Sequence, residues 1–238
     1  MSHIEHSYLD ELNFFIKEEK YNDFCECFNS VVQVNPKKSL IATQLVYSDY
    51  KADLINTEML KSSHLGRSAR QIAALSSVDL EPDVLSAPEV LTVKKQCRVL
   101  ILQGASDKSY SAGDLGTLIS PGKVKRRVKV RLDRGDDVYI YDHDWPYYDR
   151  LLKSHCVWQI PICLAYARSV HELDIYSRRI VFPEIYIDPD NFGGTAEQFC
   201  LALQHVENPS ELSLKRPLRV TDLKDKLVSI NNTSVIEP

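Results

Sequence analysis

The sequence predicts a mixed α/β protein that carries a small β-barrel as an insertion and a helical extension at its front, and three features support this. Apolar residues recur at helical spacing near the start of the chain. From Glu89 to Tyr141 the texture changes to short alternating apolar runs separated by Gly104, Gly113, Gly122 and Arg134-Gly135-Asp-Asp. After Trp145-Pro146, strand-like and helix-like segments alternate again.

At the front, Ser7-x-x-Asp10 resembles a helix-capping arrangement, and Leu9, Leu12, Phe15 and Ile16 follow it at helical spacing. One or two amphipathic helices are expected there, within an extension over residues 1–38 that ends around Pro36-Lys-Lys. Ser39 to Tyr47 reads as a short buried strand leading into a helix from Asp49 to Leu60. A second helical stretch, interrupted at Gly66, is expected over Thr57 to Ser76, before Pro82 and Pro88 mark the change of texture. Strands follow at Val90–Val93, Arg98–Leu102, Leu115–Ile119, Val124–Leu132 and Asp137–Tyr141, a spacing that favours a small barrel over residues 91–149. Beyond it come an apolar segment from Ile160 to Ala167, a strand from Ile180 to Ile187 and a helix from Thr195 to His205. Residues 39–90 and 150–214 thus read as one discontinuous α/β domain, and 215–238 as a tail with a short helix from Thr221 to Ile230.

At 238 residues and 44% hydrophobic content the chain has enough apolar material for one large or two small folded, soluble domains. A net charge of −4 argues against coating by nucleic acid, although a local basic patch binds well inside an acidic average. Met1-Ser-His-Ile-Glu-His-Ser has neither a basic region nor an apolar core, and no stretch approaches a membrane span, so an intracellular location, cytoplasmic or nuclear, and no membrane partner are expected. Of the six cysteines, Cys25, Cys27, Cys97, Cys156, Cys163 and Cys200, only the first two lie close together, and paired metal-ligand spacings are absent. Buried, unligated thiols and no metal or other cofactor are expected. None of the seven histidines or six cysteines falls in a nucleophile signature. Asp188 and Asp190 flank Pro189 and read as a turn rather than a metal site.

The strongest positive feature is Lys123-Val-Lys125-Arg126-Arg127-Val-Lys129-Val-Arg131-Leu132. On a strand, Lys123, Lys125, Arg127, Lys129 and Arg131 share one face while Val124, Val128, Val130 and Leu132 point inward. Such a row suits a phosphate track, with Tyr139, Tyr141, Trp145, Tyr147 and Tyr148 nearby to stack on bases. The competing reading is a solvated, cation-protected edge strand whose field Asp133, Asp136 and Asp137 largely neutralise.

Several further segments fall in a recognisable order. They are Leu45-Val-Tyr-Ser-Asp-Tyr-Lys-Ala-Asp-Leu-Ile-Asn56, Ala87-Pro-Glu-Val-Leu-Thr-Val-Lys94-Lys-Gln-Cys-Arg-Val99-Leu-Ile-Leu102 and Gly113-Asp-Leu-Gly116. Then come Trp158-Gln-Ile-Pro-Ile-Cys-Leu-Ala-Tyr-Ala-Arg-Ser-Val-His171-Glu-Leu-Asp and Gln198-Phe-Cys-Leu-Ala-Leu-Gln-His-Val-Glu-Asn-Pro-Ser-Glu-Leu212. Together they resemble the C-terminal motifs of Pif/RecD-type superfamily 1 DNA helicases. The last two are similar to L-A-x-A-x-(T/S)-I-H-K-S-Q-G and Y-V-A-L-S-R-V-R-S-L-E-x-L. The resemblance runs over residues 39–214 and implies a second RecA-like domain with an inserted SH3-like barrel. It also implies that Ser169 and His171 occupy positions that meet nucleic acid, although a buried hydrogen-bonding role is the more common fate of such a histidine.

The working residues of those motifs differ. H-K-S-Q-G becomes His171-Glu172-Leu173-Asp174-Ile175, and A-L-S-R-V-R becomes Ala202-Leu-Gln204-His205-Val-Glu207, so Glu172 and Glu207 reverse charges and His205 replaces the expected arginine with a part-time cation. None of the eight glycines builds a phosphate loop, and the Gly122-Lys123 pair has Thr117 where the first glycine belongs. The sequence therefore predicts a catalytically inactive helicase-like protein, not an enzyme, that binds single-stranded DNA or RNA without ATP as an accessory to a helicase or other replication protein. Two rivals stand beside it. One is a scaffold of a replication or mobile-element complex that docks through Phe14, Phe15, Phe24 and Phe28; the other is the C-terminal half of a split helicase.

Overall fold

The computed structural model describes residues 5–34, 42–62, 65–66, 68–76, 89–122, 126–148, 154–175 and 180–223. Its internal contacts divide the chain into one unit made of Met1–Asp53 with Ala167–Pro238 and a second made of Leu54–Tyr166. The first unit opens with helices α1 (Glu5–Lys17) and α2 (Tyr21–Val31), then strands β1 (Gln33–Val34) and β2 (Thr43–Val46), and helix α3 (Asp49–Leu60), which runs across the boundary. Among its described residues the second holds ten strands: β3 (Ala69–Ala73), β4 (Leu75–Ser76), β5 (Val90–Lys94), β6 (Arg98–Ile101), β7 (Leu115–Ser120), β8 (Arg127–Leu132), β9 (Asp137–Tyr141), β10 (His143–Tyr148), β11 (Ser154–Gln159) and β12 (Ile162–Leu164). The chain then returns to the first unit with β13 (Ala167–Ser169), α4 (Val170–Ile175), β14 (Ile185–Ile187), α5 (Pro189–Phe192), α6 (Ala196–Gln204) and β15 (Leu212–Leu214).

The first unit is built on a five-stranded sheet in the order β1-β15-β14-β2-β13, in which every pair is parallel. Parallel strands bury both faces, and β13 and β15 are buried at every residue. Phe24 and Phe28 of α2 are fully buried, and Phe28 meets Phe199 of α6 edge-on at 5.5 Å. Each such side chain stabilises the fold by roughly 1.5–3 kcal/mol. Helix α6 starts at a reciprocal cap in which Gln198 N donates to Thr195 Oγ1 (3.4 Å) and Thr195 N donates to Gln198 Oε1 (3.0 Å).

Among the described residues the second unit is all-β apart from its share of α3. Strands pair antiparallel in the order β12-β6-β7-β8-β9, with β3 on β5 and the set β10-β11-β4 forming two smaller sheets. Val99, Ile101, Leu118, Val128, Val130, Ile140, Ile160 and Ile162, each fully buried, form the centre of its core. Gly116 lets β7 approach β8, since a Cβ there would lie 2.5 Å from Arg131 O.

Several sequence expectations change. The helical stretch to Ser76 ends at Leu60, and Ala69–Ala73 forms β3 because Ile72 pairs across to Leu91 and enters the β core, a tertiary contact that outweighs local propensity. The strand expected from Ile180 is confined to Ile185–Ile187: Pro183 has no N–H for a ladder, and Phe182 N donates instead to His205 O (2.8 Å). The apolar segment after Ile160 splits, β12 pairing antiparallel with β6 and β13 parallel with β2. The β unit is consequently wider than residues 91–149, because β3, β4, β11 and β12 pair within it. Of the tail helix, Val220–Asp222 is a single 3-10 turn and the remainder lies outside the described residues.

Candidate nucleic-acid interface

Burial along β8 alternates as the sequence requires, with Val128, Val130 and Leu132 inside and Arg127, Lys129 and Arg131 on the outer face. Lys123 and Lys125 lie outside the described residues. Register sets the neighbours of the three described cations on β9, placing Tyr141 opposite Arg127, Tyr139 opposite Lys129 and Asp137 opposite Arg131. The Arg127 guanidinium lies over the Tyr139 ring at 4.5 Å and donates to Tyr141 Oη at 3.3 Å. Both rings are about half exposed, at 46% for Tyr139 and 51% for Tyr141. Arg127 forms no ion pair among the described residues, whereas Lys129 and Arg131 share Asp137 at 2.9 and 2.8 Å. Hydrogen bonds from Arg131 and then Lys129 hold the Asp137 carboxyl down at about 2. The other two nearby acids are directed elsewhere, Asp133 to the buried Arg98 and Asp136 to Arg134.

Beside these tyrosines lies a cleft of about 610 Å³, walled on one side by the loop between β6 and β7 and on the other by Tyr139, Tyr141 and His143. Sequence reasoning missed it, because the loop comes back onto β9 only in three dimensions. The turn-rich run Gly104-Ala-Ser-Asp-Lys-Ser was the available signal: Asp107 Oδ1 accepts from Ser109 N (3.0 Å), which helps hold that carboxyl below its ordinary range, and Lys108 adopts φ 61°. Of the other aromatics, Trp145 donates through Nε1 to Gln159 O (3.4 Å) within β10–β11, and the side chains of Tyr147 and Tyr148 lie outside the described residues.

In the first unit the candidate positions serve the fold. Ser169 is fully buried and caps α4: His171 N donates to its Oγ (3.1 Å), and its own N donates to Glu172 Oε2 (3.0 Å). Glu172 also pairs with Arg168 at 2.7 Å. Burial pushes its carboxyl up, which Arg168 partly opposes, and Asp49 and Asp53 add to the rise. Ser169 therefore presents no hydroxyl to a strand. His171 is exposed, not buried, and meets Tyr47 edge-on at 4.8 Å; the Asp174 side chain lies outside the described residues. His205 is buried with Nδ1 2.6 Å from Ile180 O, while Gln204 and Glu207 on either side of it are exposed. Asp188 caps α5, accepting from Asp190 N (3.2 Å), and pairs with Lys215 (2.8 Å), so the expected turn is the start of a short helix. Burial of Phe24 and Phe28 removes two of the four aromatic anchors from the docking reading; Phe14 remains half exposed.

Burial drives the Cys25 and Cys200 thiols up to about 12 and Cys97 to about 11, which makes them poor nucleophiles, while Cys156 is exposed. Among the described residues no group of three or more His, Cys, Asp or Glu side chains is placed to hold a metal ion, and no helix is long and apolar enough to cross a membrane.

No family model and no curated protein matches the sequence. Solved structures do. Pif1 from Bacteroides sp in complex with ADP-AlF4 superimposes with a TM-score of 0.69 at 14% identity, over 96% of this chain and 54% of its own. Pif1 helicase from Candida albicans gives 0.60 at 17%, over 96% and 58%. Bacteroides Pif1 bound to ssDNA gives 0.59 at 16%, over 89% and 50%. The fold is thus shared with Pif1 helicases, and its parallel sheet with flanking helices is like a RecA-like helicase domain. The chain spans about half the length of these structures. This overturns the expectation that the chain is no enzyme: the proteins that share its fold are helicases, and a chain spanning half of them says nothing about activity by lacking a phosphate loop.

Proposed function

We propose that this chain forms a helicase-type single-strand-binding unit, with the parallel-sheet unit as a second RecA-like domain and the β unit as its SH3-like insertion. The strand runs along the outer face of β8 and β9. Its phosphates lie against Arg127, Lys129 and Arg131, and its bases stack on Tyr139 and Tyr141. The observation that carries the reading is Arg127: it rests over an exposed tyrosine without a carboxylate partner among the described residues, so its charge stays available and its position is preorganised. The protective-edge reading does not fit β8, which pairs with β7 on one side and β9 on the other, and it leaves two half-exposed tyrosines on the same face unexplained. A strand carrying 5-bromouracil, cross-linked to the full chain by ultraviolet light and mapped by mass spectrometry, tests this. Adducts on the segment 137–141 support it; adducts confined to other segments refute it.

The split-helicase arrangement loses one objection at Glu172. Its charge is taken up by Arg168 and the α4 cap, so it is not directed at a phosphate and no longer counts against a partner polypeptide that bears the phosphate loop.

A further inference from the structure

The cleft beside the tyrosines has properties that a backbone track alone does not need. Its loop wall is held in place from within and from outside. Ala105 N donates to Tyr110 O (3.0 Å), Ser111 N donates to Asp114 Oδ2 (2.8 Å), and Arg134 ties Asp114 (3.0 Å) to the Ser109 carbonyl (2.6 Å). Gly104 permits the fold-back, since a Cβ there would come within 3.2 Å of Ala112 N. The volume of about 610 Å³ falls inside the range that small-molecule sites occupy, about 300–1,000 Å³. Tyr110, Tyr139 and Tyr141 supply aromatic surface. The Gln103 amide, Ser106 hydroxyl and His143 ring line the same space and make no hydrogen bond among the described residues. Paired donor and acceptor groups next to aromatic faces match the edge and the face of a nucleobase.

We propose that this cleft receives one base turned out of the strand, so that the β8–β9 face tracks the backbone while the cleft holds a base. The inference rests on the single-strand reading above and adds a base-binding subsite to it. The turned-out base stacks on Tyr141 and offers its hydrogen-bonding edge to Gln103.

The test uses fluorescence anisotropy with the full chain, titrated with a labelled strand, a set of the same strands carrying one abasic nucleotide at successive positions, and the variants Ser106→Trp and Gln103→Ala. Ser106 is exposed on the loop, so a tryptophan there fills the cleft without entering the core. The expected result is a loss of roughly tenfold for Ser106→Trp on the intact strand with an unchanged salt slope, and the same loss for wild type at one abasic position. At that position Ser106→Trp adds nothing further, and Gln103→Ala weakens the discrimination among bases. A flat abasic scan together with wild-type affinity for Ser106→Trp overturns the subsite while leaving the backbone track in place. Failure of the wild type to bind any strand overturns both.

Discussion

Asp137 offers the sharpest perturbation because it should act in the unusual direction. Its carboxylate holds Lys129 at 2.9 Å and Arg131 at 2.8 Å, and it is held at about 2, so it is ionised throughout the working range. Over the described part of the face, three cations less this one anion leave a net charge of +2; Asp137→Asn raises it to +3 with nearly the same shape. For a single strand, each added phosphate neutralised steepens the dependence of log K on log salt by about 0.7. At about 0.1 M salt one further contact therefore tightens binding about fivefold, or ~1 kcal/mol. The assay is anisotropy of a labelled single strand over a series of potassium chloride concentrations. Tighter binding with a steeper slope is expected. An unchanged slope, or weaker binding, would refute the idea that Lys129 and Arg131 meet phosphates and would favour a structural role for the ion pairs.

Other consequences follow from particular contacts. Ser169→Ala removes the α4 cap and should cost about 1 kcal/mol in urea unfolding while leaving strand affinity within about twofold, since the hydroxyl is buried and committed. Gly116→Ala sets a Cβ 2.5 Å from Arg131 O and 2.7 Å from Val130 Cγ1, so a cost of about 1–3 kcal/mol and a lower melting temperature are expected. Arg216 pairs with Asp190 and, at 2.7 Å, with Asp222. Burial raises the Asp222 carboxyl, but Arg216 and the Arg219 amide more than offset this and hold it below its ordinary value. That stability is fully present above the unfolded carboxylate pKa of about 3.9 and lost as pH falls through the lower folded value. Urea unfolding at about pH 5 and pH 3 should show a decline in wild type that is smaller in Arg216→Ala.

The sequence made legible what depends on local period and chemistry. Helix α3 and strands β5 to β9 follow from spacing, and Thr195 and His205 bracket α6 as the apolar pattern requires. The alternation of β8 placed three cations on one face because strand geometry leaves no other choice. What escaped depended on distant partners. The strand state of Ala69–Ser76 is imposed by β5 and β11, and neither lies within reach of a local window. Reading Glu172 as a reversed charge missed its use by residues one helical turn earlier, Arg168 and Ser169. The resemblance identified the fold, while the burial of Ser169 and His205 depends on packing that no motif position spells out.

The central claim is that this chain holds a single strand on the outer face of β8 and β9. Its most direct test is the anisotropy of a labelled strand against the full chain and against the double variant Arg127→Glu with Lys129→Glu, across salt. Micromolar or tighter binding that weakens steeply with salt and disappears in the variant is the predicted result. Absence of binding at low salt, or equal binding by the variant, would contradict it.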